Sequence, residues 1–312
     1  MDMRVAVVGA GGVGGYFGGR LAAAGGDVML VARGRHLEAI RANGLSIRGA
    51  AGDVTVPPGA VVPSVDAVGR ADVVLVAVKL WDTEDVARQL RPLAESGAAV
   101  VSLQNGVETR EALRRHLPEE SLLGGVCYVS AVIEQPGVVV HRGGFQKLVF
   151  GEYDGRRSER VVELAAQWAG AGPEAEVSTD ITRMIWEKFV FLVGLSAATT
   201  AVRQPIGVVR GDAGSRALLL DVMRETVAVG RARGVALDPS FADERLAFCD
   251  TLPPDMAASM HHDLTHGNRL ELPWLSGAVA RLGAELGVPT PRNSTVADIL
   301  SPYVQGAPAT AG

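Results

Sequence analysis

Lysine is nearly absent from this chain. Of 30 Lys and Arg residues among 312, only Lys79, Lys147 and Lys188 are lysine. Arginine serves a solvated surface as well as lysine does, but only lysine readily gives up its proton when buried. Each of the three therefore marks a position of interest. Cysteine is scarcer still: Cys127 and Cys249 lie far apart and fit neither a disulfide framework nor a metal-ligand spacing, which points to a reduced, cytoplasmic setting. There is no basic excess. A net charge of −5 disfavours a nucleic-acid partner or an anionic membrane surface. The longest apolar run, Phe189 to Val202, is too short for a bilayer span and holds Gly194, Ser196, Thr199 and Thr200. The opening MDMRVAVVGAGG lacks a charged region, apolar core and cleavage site, so no secretory signal is expected. Aromatics make up only 5%, yet 47% apolar residues and 38 glycines describe a packed globular chain of two-domain length.

What is present reads first as alternating strands and helices. Arg4–Val8, Val28–Ala32, Val73–Val78 and Ala98–Leu103 are short β-rich runs, separated by helical stretches at Gly14–Ala24 and His36–Asn43. Such alternation predicts βαβ units on a mostly parallel sheet. Gly124–Ile133, Val138–His141 and Leu148–Gly151 read as later strands, joined by Pro136-Gly137 and Gly143-Gly144 turns. From about Asp180 the texture becomes long and helical. The Gly, Ala, Pro and Glu-rich stretch 170–178 then separates an α/β domain, 1–178, from an all-α domain, 179–312. The low-complexity tail 306–312 is expected to fray.

Gly9-Ala10-Gly11-Gly12-Val13-Gly14 matches G-x-G-x-x-G. The match directly follows the first strand and opens a helix, which is the context the motif's mechanism needs. Gly9 permits the tight turn, Gly11 lets backbone approach a pyrophosphate, and Gly14 allows close helix–strand packing. The helix N-terminus then offers free N–H groups to phosphate. A glycine-rich turn without a ligand would read the same way. The second strand ends Val31-Ala32-Arg33-Gly34-Arg35, with no carboxylate for ribose hydroxyls. Arg33 there suits a 2′-phosphate, which favours NADPH. Lys79 and Gln104-Asn105-Gly106 follow the next two strands, at the carboxyl edge where open α/β sheets bind ligands. A solvated Lys79 and a plain Asn-Gly turn are the alternatives.

Asp180–Val202 reads as one helix with Thr179 or Asp180 as N-cap. Ile181, Ile185, Lys188, Leu192, Ser196 and Thr199 share a face, while the other faces are apolar. A helix apolar nearly all round is buried. Lys188 is therefore expected to be desolvated, its pKa lowered towards use in proton transfer; the alternative is an ammonium that snorkels or pairs structurally. Further on come Ser259, Asp263 and Glu271, the last at the entrance of a following helix. His262 and His266 are four apart, but there is no H-E-x-x-H and no third ligand, so no metal is expected.

In order and spacing these residues resemble the ketopantoate reductase (2-dehydropantoate 2-reductase) family. The resemblance runs from Gly9–Gly14 through Lys79, Gln104-Asn105-Gly106, Pro136-Gly137 with His141, Gly151-Glu152 and Trp186-Glu187-Lys188 to Ser259-Met260, Asp263, Glu271 and 287–291. It implies a Rossmann-type NADPH-binding domain followed by an all-helical domain, reducing a 2-oxo acid to the 2-hydroxy acid. By resemblance Lys188 is the proton donor and Glu271 contacts both nicotinamide ribose and substrate. Asn105 lies between cofactor and substrate, and Ala131 lines the cofactor. Arg33 and Lys79 recognise the 2′-phosphate, and Ser259 binds substrate. The cofactor turn maps to Gly9, Ala10, Gly11, Gly12, Val13 and Gly14.

The departures lie on the lysine helix. Where the family carries asparagines one and two turns beyond the lysine, this chain has Leu192 and Ser196. Leucine cannot hydrogen-bond, and losing such a contact argues for a changed substrate. Ser196 keeps a hydroxyl for the substrate, and Arg203 at the helix end could pair with a carboxylate. The alternatives are a paralogue working on another 2-oxo, 2-hydroxy or opine-type acid, in either direction, and an NADPH-binding sensor without turnover. The expected partner is a small-molecule substrate, with no nucleic acid or membrane; a homodimer stays open, because the long apolar helices could supply either its interface or the helical domain's own core.

Overall fold

The structure, a computed structural model, describes residues 3–308. The chain divides into two compact units, Met1–Thr182 and Arg183–Gly312. The first unit holds ten strands: β1 (Val5–Val8), β2 (Val28–Val31), β3 (Leu45–Arg48), β4 (Val54–Val56), β5 (Val61–Val62), β6 (Val73–Val76), β7 (Ala99–Ser102), β8 (Leu122–Gln135), β9 (Val138–Gly151) and β10 (Glu174–Val177). Its helices are α1 (Gly12–Ala23), α2 (Gly34–Asn43), α3 (Thr83–Glu95), α4 (Thr109–Arg114) and α5 (Glu159–Ala166).

One mixed sheet carries all ten strands. Its path runs β5-β2-β1-β6-β7-β8 with parallel neighbours, then β9, β3 and β4. The first six follow the 3-2-1-4-5-6 order of a dinucleotide-binding sheet. β1, β6 and β7 are fully buried because helices or further strands cover both their faces. Val5 and Val7 point into one core with Phe17, Leu75 and Phe150, while Ala6 and Val8 point into a second with Val76, Val86 and Leu90. The first core wraps the apolar side of α1, and the sheet curls around it.

Several local expectations change. The Pro136-Gly137 turn is there, with Gly137 at φ +82° closing the β8–β9 hairpin. Gly143-Gly144 is not a turn but part of a bulge within one continuous strand: Ala131 pairs with His141 and Val129 with Gln146, so Ser130 alone faces residues 142–145. The stretch 170–178 is more than a connection, because β10 occupies it and adds to β9 in parallel. Lys147 ties these strands together, its ammonium 2.7 Å from the Glu176 carboxylate.

The second unit is helical: α6 (Ile181–Val202, its first two residues in the first unit), α7 (Ile206–Gly211), α8 (Ala213–Ala232), α9 (Phe241–Thr251), α10 (Ser259–Thr265), α11 (Ser276–Leu286) and α12 (Pro291–Leu300). α6 begins directly after Asp180, as the spacing predicts. It is long and apolar enough to cross a membrane, but most of its apolar stretch is buried inside the fold, as in a core helix. It ends at Val202, and Arg203 beyond it is held at φ +58° with its guanidinium 2.9 Å from the Tyr303 hydroxyl. Glu225 of α8 accepts the Arg292 and Asn293 amides at 2.8 and 2.9 Å, supplying the N-terminus of α12 with the acceptor that Thr290 does not. The tail is anchored as far as it is described: Ala307 N–H donates to Gly267 O at 3.1 Å, and 309–312 lie outside the described residues.

Candidate active site

The parallel register aligns the carboxyl ends of β2, β1 and β6, since Val8 pairs with both Val31 and Val76. Four sequence-predicted groups share this edge with the end of β7. They are the Gly9–Gly14 turn after β1, Arg33 after β2, Lys79 after β6 and Asn105 after β7.

The glycines divide the work by geometry. Gly9 sits at φ +100°, and a Cβ there would lie 2.8 Å from the Ala77 carbonyl carbon. At Gly14 a Cβ would meet Gly9 O at 2.1 Å, and at Gly12 it would meet Ala131 O at 2.1 Å. Ala131, on β8, thus rests directly on the turn. Gly11 is different: nothing lies within 4 Å of its virtual Cβ. It is the N-cap of α1, which starts at Gly12 rather than the expected Gly14, so the motif itself supplies the first helical turn. First-turn amides have no intrahelical acceptor. A backbone cradle with free N–H groups and open space before it fits the diphosphate of a dinucleotide.

His36 braces this turn, and nothing in its sequence neighbourhood marks it. Gly137 N–H donates to His36 Nδ1 at 3.0 Å, so the proton sits on Nε2, which donates to Ala10 O at 2.8 Å. Burial pushes the imidazole pKa below its ordinary value, against the bond to the Ala10 carbonyl. Accepting from Gly137 requires the neutral ring, whereas the bond to Ala10 O persists in either charge state. Gln104 braces the next two strand ends: its amide donates to Val78 O at 3.0 Å and Thr83 Oγ1 at 2.8 Å. Asn105 follows directly and is half-buried. Arg33 is 81% exposed and donates to Asp82 Oδ2 at 2.7 Å, while the Lys79 ammonium lies 5.6 Å from the Trp81 ring centroid. Asp82 is a second residue that sequence reading passed over.

In the second unit Lys188 departs from expectation. It is half-buried, not enclosed, because α6 leaves Ile185, Lys188 and Leu192 partly exposed along one strip. Every residue from Val193 to Thr200 is buried, whereas before Val193 buried and partly exposed residues alternate. On its other faces Trp186, Phe189, Val190, Val193 and Leu195 pack inside, while Met184 and Phe191 are half-buried like the strip through the lysine. Ser196 lies deeper, 1% exposed, and its hydroxyl has no hydrogen-bond partner. The Ser259 helix is stitched to α6 at Thr199, which receives Ala258 N–H on Oγ1 at 3.4 Å and bonds His261 Nδ1 through its carbonyl at 2.8 Å. Ser259 is exposed at the start of α10. Glu271 is a buried carboxylate, 8% exposed, leading into the Leu272–Trp274 turn rather than directly into α11. Arg203, considered for a substrate carboxylate, is engaged by Tyr303. Among the described residues no group of three His, Cys, Asp or Glu side chains could hold a metal ion.

Residues 5–155 match the family described as ketopantoate reductase PanE/ApbA, and residues 180–304 match its C-terminal part. The chain belongs to the ketopantoate reductase family. It is an oxidoreductase of the 2-dehydropantoate 2-reductase type, a dinucleotide-dependent reductase of a small molecule. A 2-dehydropantoate 2-reductase of Halobacterium salinarum is 34% identical over 96% of this chain and 98% of its own length. A crystal structure of a PanE/ApbA family ketopantoate reductase from Ralstonia eutropha superposes with TM-score 0.88 at 34% identity, covering 97% of this chain and 98% of that one. A D-mandelate dehydrogenase solved with NADH and anilino(oxo)acetate also reaches TM-score 0.88 over 97% and 98% of the two chains. At 21% identity that likeness shows the fold alone.

Proposed function

We propose that the chain reduces a 2-oxo acid to its 2-hydroxy acid with NADPH, ketopantoate being the leading substrate. The observation that carries this reading is the Gly9–Gly14 cradle, open before Gly11, with the exposed Arg33 guanidinium at the neighbouring strand end. NADPH supplies the hydride when bound. The chain's own residues do the rest. Arg33 and Lys79 hold the 2′-phosphate, the Gly9–Gly14 amides hold the diphosphate, and Ala131, Asn105 and Glu271 contact the cofactor. Asn105 and Ser259 orient the substrate. Lys188 donates a proton to the carbonyl oxygen and offsets the charge that develops there. Its partial exposure lets water restore the proton after each turnover.

Leu192 favours a second substrate reading. It stands one turn beyond Lys188 on the partly exposed strip, and it offers a substrate only apolar surface. A 2-oxo acid with a larger apolar group, or the corresponding hydroxy acid in the oxidative direction, suits that contact better than a hydroxyl does. Ser196, with its unpartnered Oγ, is the remaining polar position for the substrate.

The test follows the absorbance of reduced nicotinamide with a panel of 2-oxo acids, in the wild type and in Lys188→Ala. Loss of a positioned proton donor should lower kcat by about 10²–10⁴-fold. Turnover untouched by Lys188→Ala would refute the mechanism, and NADPH binding without turnover of any acid would leave a sensor.

A further inference from the structure

The second strand carries no carboxylate at its end, the position where sheets of this kind usually place one for the ribose hydroxyls. Tertiary structure brings one there all the same. Asp82, in the turn after β6, accepts from Arg33 Nη2 at 2.7 Å. The strand ends that meet here, β2 and β6, flank β1 and its glycine turn on either side. Two opposed recognition chemistries therefore share one spot: a guanidinium suited to a 2′-phosphate and a carboxylate suited to a 2′-hydroxyl.

We infer that Asp82 sets the dinucleotide preference of this chain, so that NADH binds as well as NADPH. The inference rests on reading the glycine turn as a dinucleotide site. A 2′-phosphate brings negative charge beside the Asp82 carboxylate and must take Arg33 from it or share it. A 2′-hydroxyl can instead donate to Asp82 while the ion pair stays closed. The pair is exposed on the Arg33 side, so it is weak and can open for a phosphate. Lys79, three residues before Asp82, supplies a second cation that keeps NADPH binding competitive. Removing the Asp82 charge should therefore favour one cofactor at the expense of the other, not strengthen both.

The experiment titrates the ligand-free protein with NADPH and with NADH by calorimetry, for the wild type, Asp82→Asn and Arg33→Gln. The wild type should bind both. Asp82→Asn should tighten NADPH and weaken NADH, changing the ratio of their Kd values about tenfold, as expected for one charged contact. Arg33→Gln should weaken NADPH and leave NADH nearly unchanged. A Kd ratio unmoved in Asp82→Asn, with both ligands still bound, overturns the role of Asp82 and leaves the dinucleotide site standing. A wild type that binds neither ligand overturns both.

Discussion

Alanine at Gly14 and alanine at Gly11 should fail in opposite ways. At Gly14 the new Cβ would lie 2.1 Å from Gly9 O, 2.9 Å from Ala77 Cβ and 3.0 Å from Val7 Cγ1. Two of these partners are backbone or a stiff side-chain stem, so helix and turn must part by roughly 1 Å to reach a tolerable contact. Overpacking of this kind costs about 1–3 kcal/mol, and moving backbone puts it at the upper end. In a unit of this size each kcal/mol lowers Tm by about 2–4 °C, so Gly14→Ala should lose roughly 6–12 °C. Gly11 has φ −73° and ψ −158°, an extended conformation that alanine adopts, and its Cβ would enter open space. Stability should change by less than about 1 kcal/mol, because a poorer N-cap is offset by a less flexible unfolded chain. The methyl would stand where the diphosphate approaches, and the dinucleotide Kd should rise at least about tenfold, or 1.4 kcal/mol. Thermal unfolding by circular dichroism and cofactor titration of the two variants separate these effects. Gly11→Ala that unfolds as early as Gly14→Ala, or that binds dinucleotide as the wild type does, would refute the division of roles.

Two further outcomes follow from charged and polar groups near the same sheet. His36→Ala leaves Ala10 O and Gly137 N–H without their partner; the expected cost is about 1–3 kcal/mol, with a raised KM for dinucleotide and a nearly unchanged kcat. His36→Gln, able to donate and accept at once, should recover much of the loss. Because the folded pKa of His36 is lowered, its contribution is complete above the unfolded value of about 6.5 and fades as pH falls through the folded value, a loss absent from His36→Gln. Glu152 is buried, which raises its pKa, but the Arg160 guanidinium at 2.7 Å and the Ser158 hydroxyl more than offset this and hold the carboxyl below its usual range. The stability gap between wild type and Glu152→Gln, measured by urea unfolding, should be full at neutral pH and shrink once pH drops below about 4.3 towards the folded pKa. A gap that is constant with pH would remove the ionised pair from the account.

The strands that are easy to find in the chain are those buried on both faces. β1, β2, β6 and β7 announce themselves as apolar runs because they form the covered parallel part of the sheet, β1, β6 and β7 fully buried and β2 buried except at Met29. β10 reads Glu-Ala-Glu-Val and hides, since its glutamates face outward and one is fastened to Lys147. Gly143-Gly144 misleads because glycine pairs mark bulges as readily as turns. Counting apolar residues around α6 gives a buried helix but not the strip left uncovered, and Lys188 lies on that strip.

The amino-acid order alone determines the glycine turn between a buried strand and a helix, the arginine that follows the second strand, and a lysine in a long apolar helix. These depend on spacing within a few turns, where residue type and backbone geometry act directly on each other. Only the tertiary structure decides which distant groups meet them. Asp82 reaches Arg33 across 49 residues, His36 joins Ala10 to Gly137 across 26 and 101, and Ala131 comes to rest on Gly12. Those pairings follow from sheet order, which is fixed by burying two cores at once and leaves no periodic trace in any one segment.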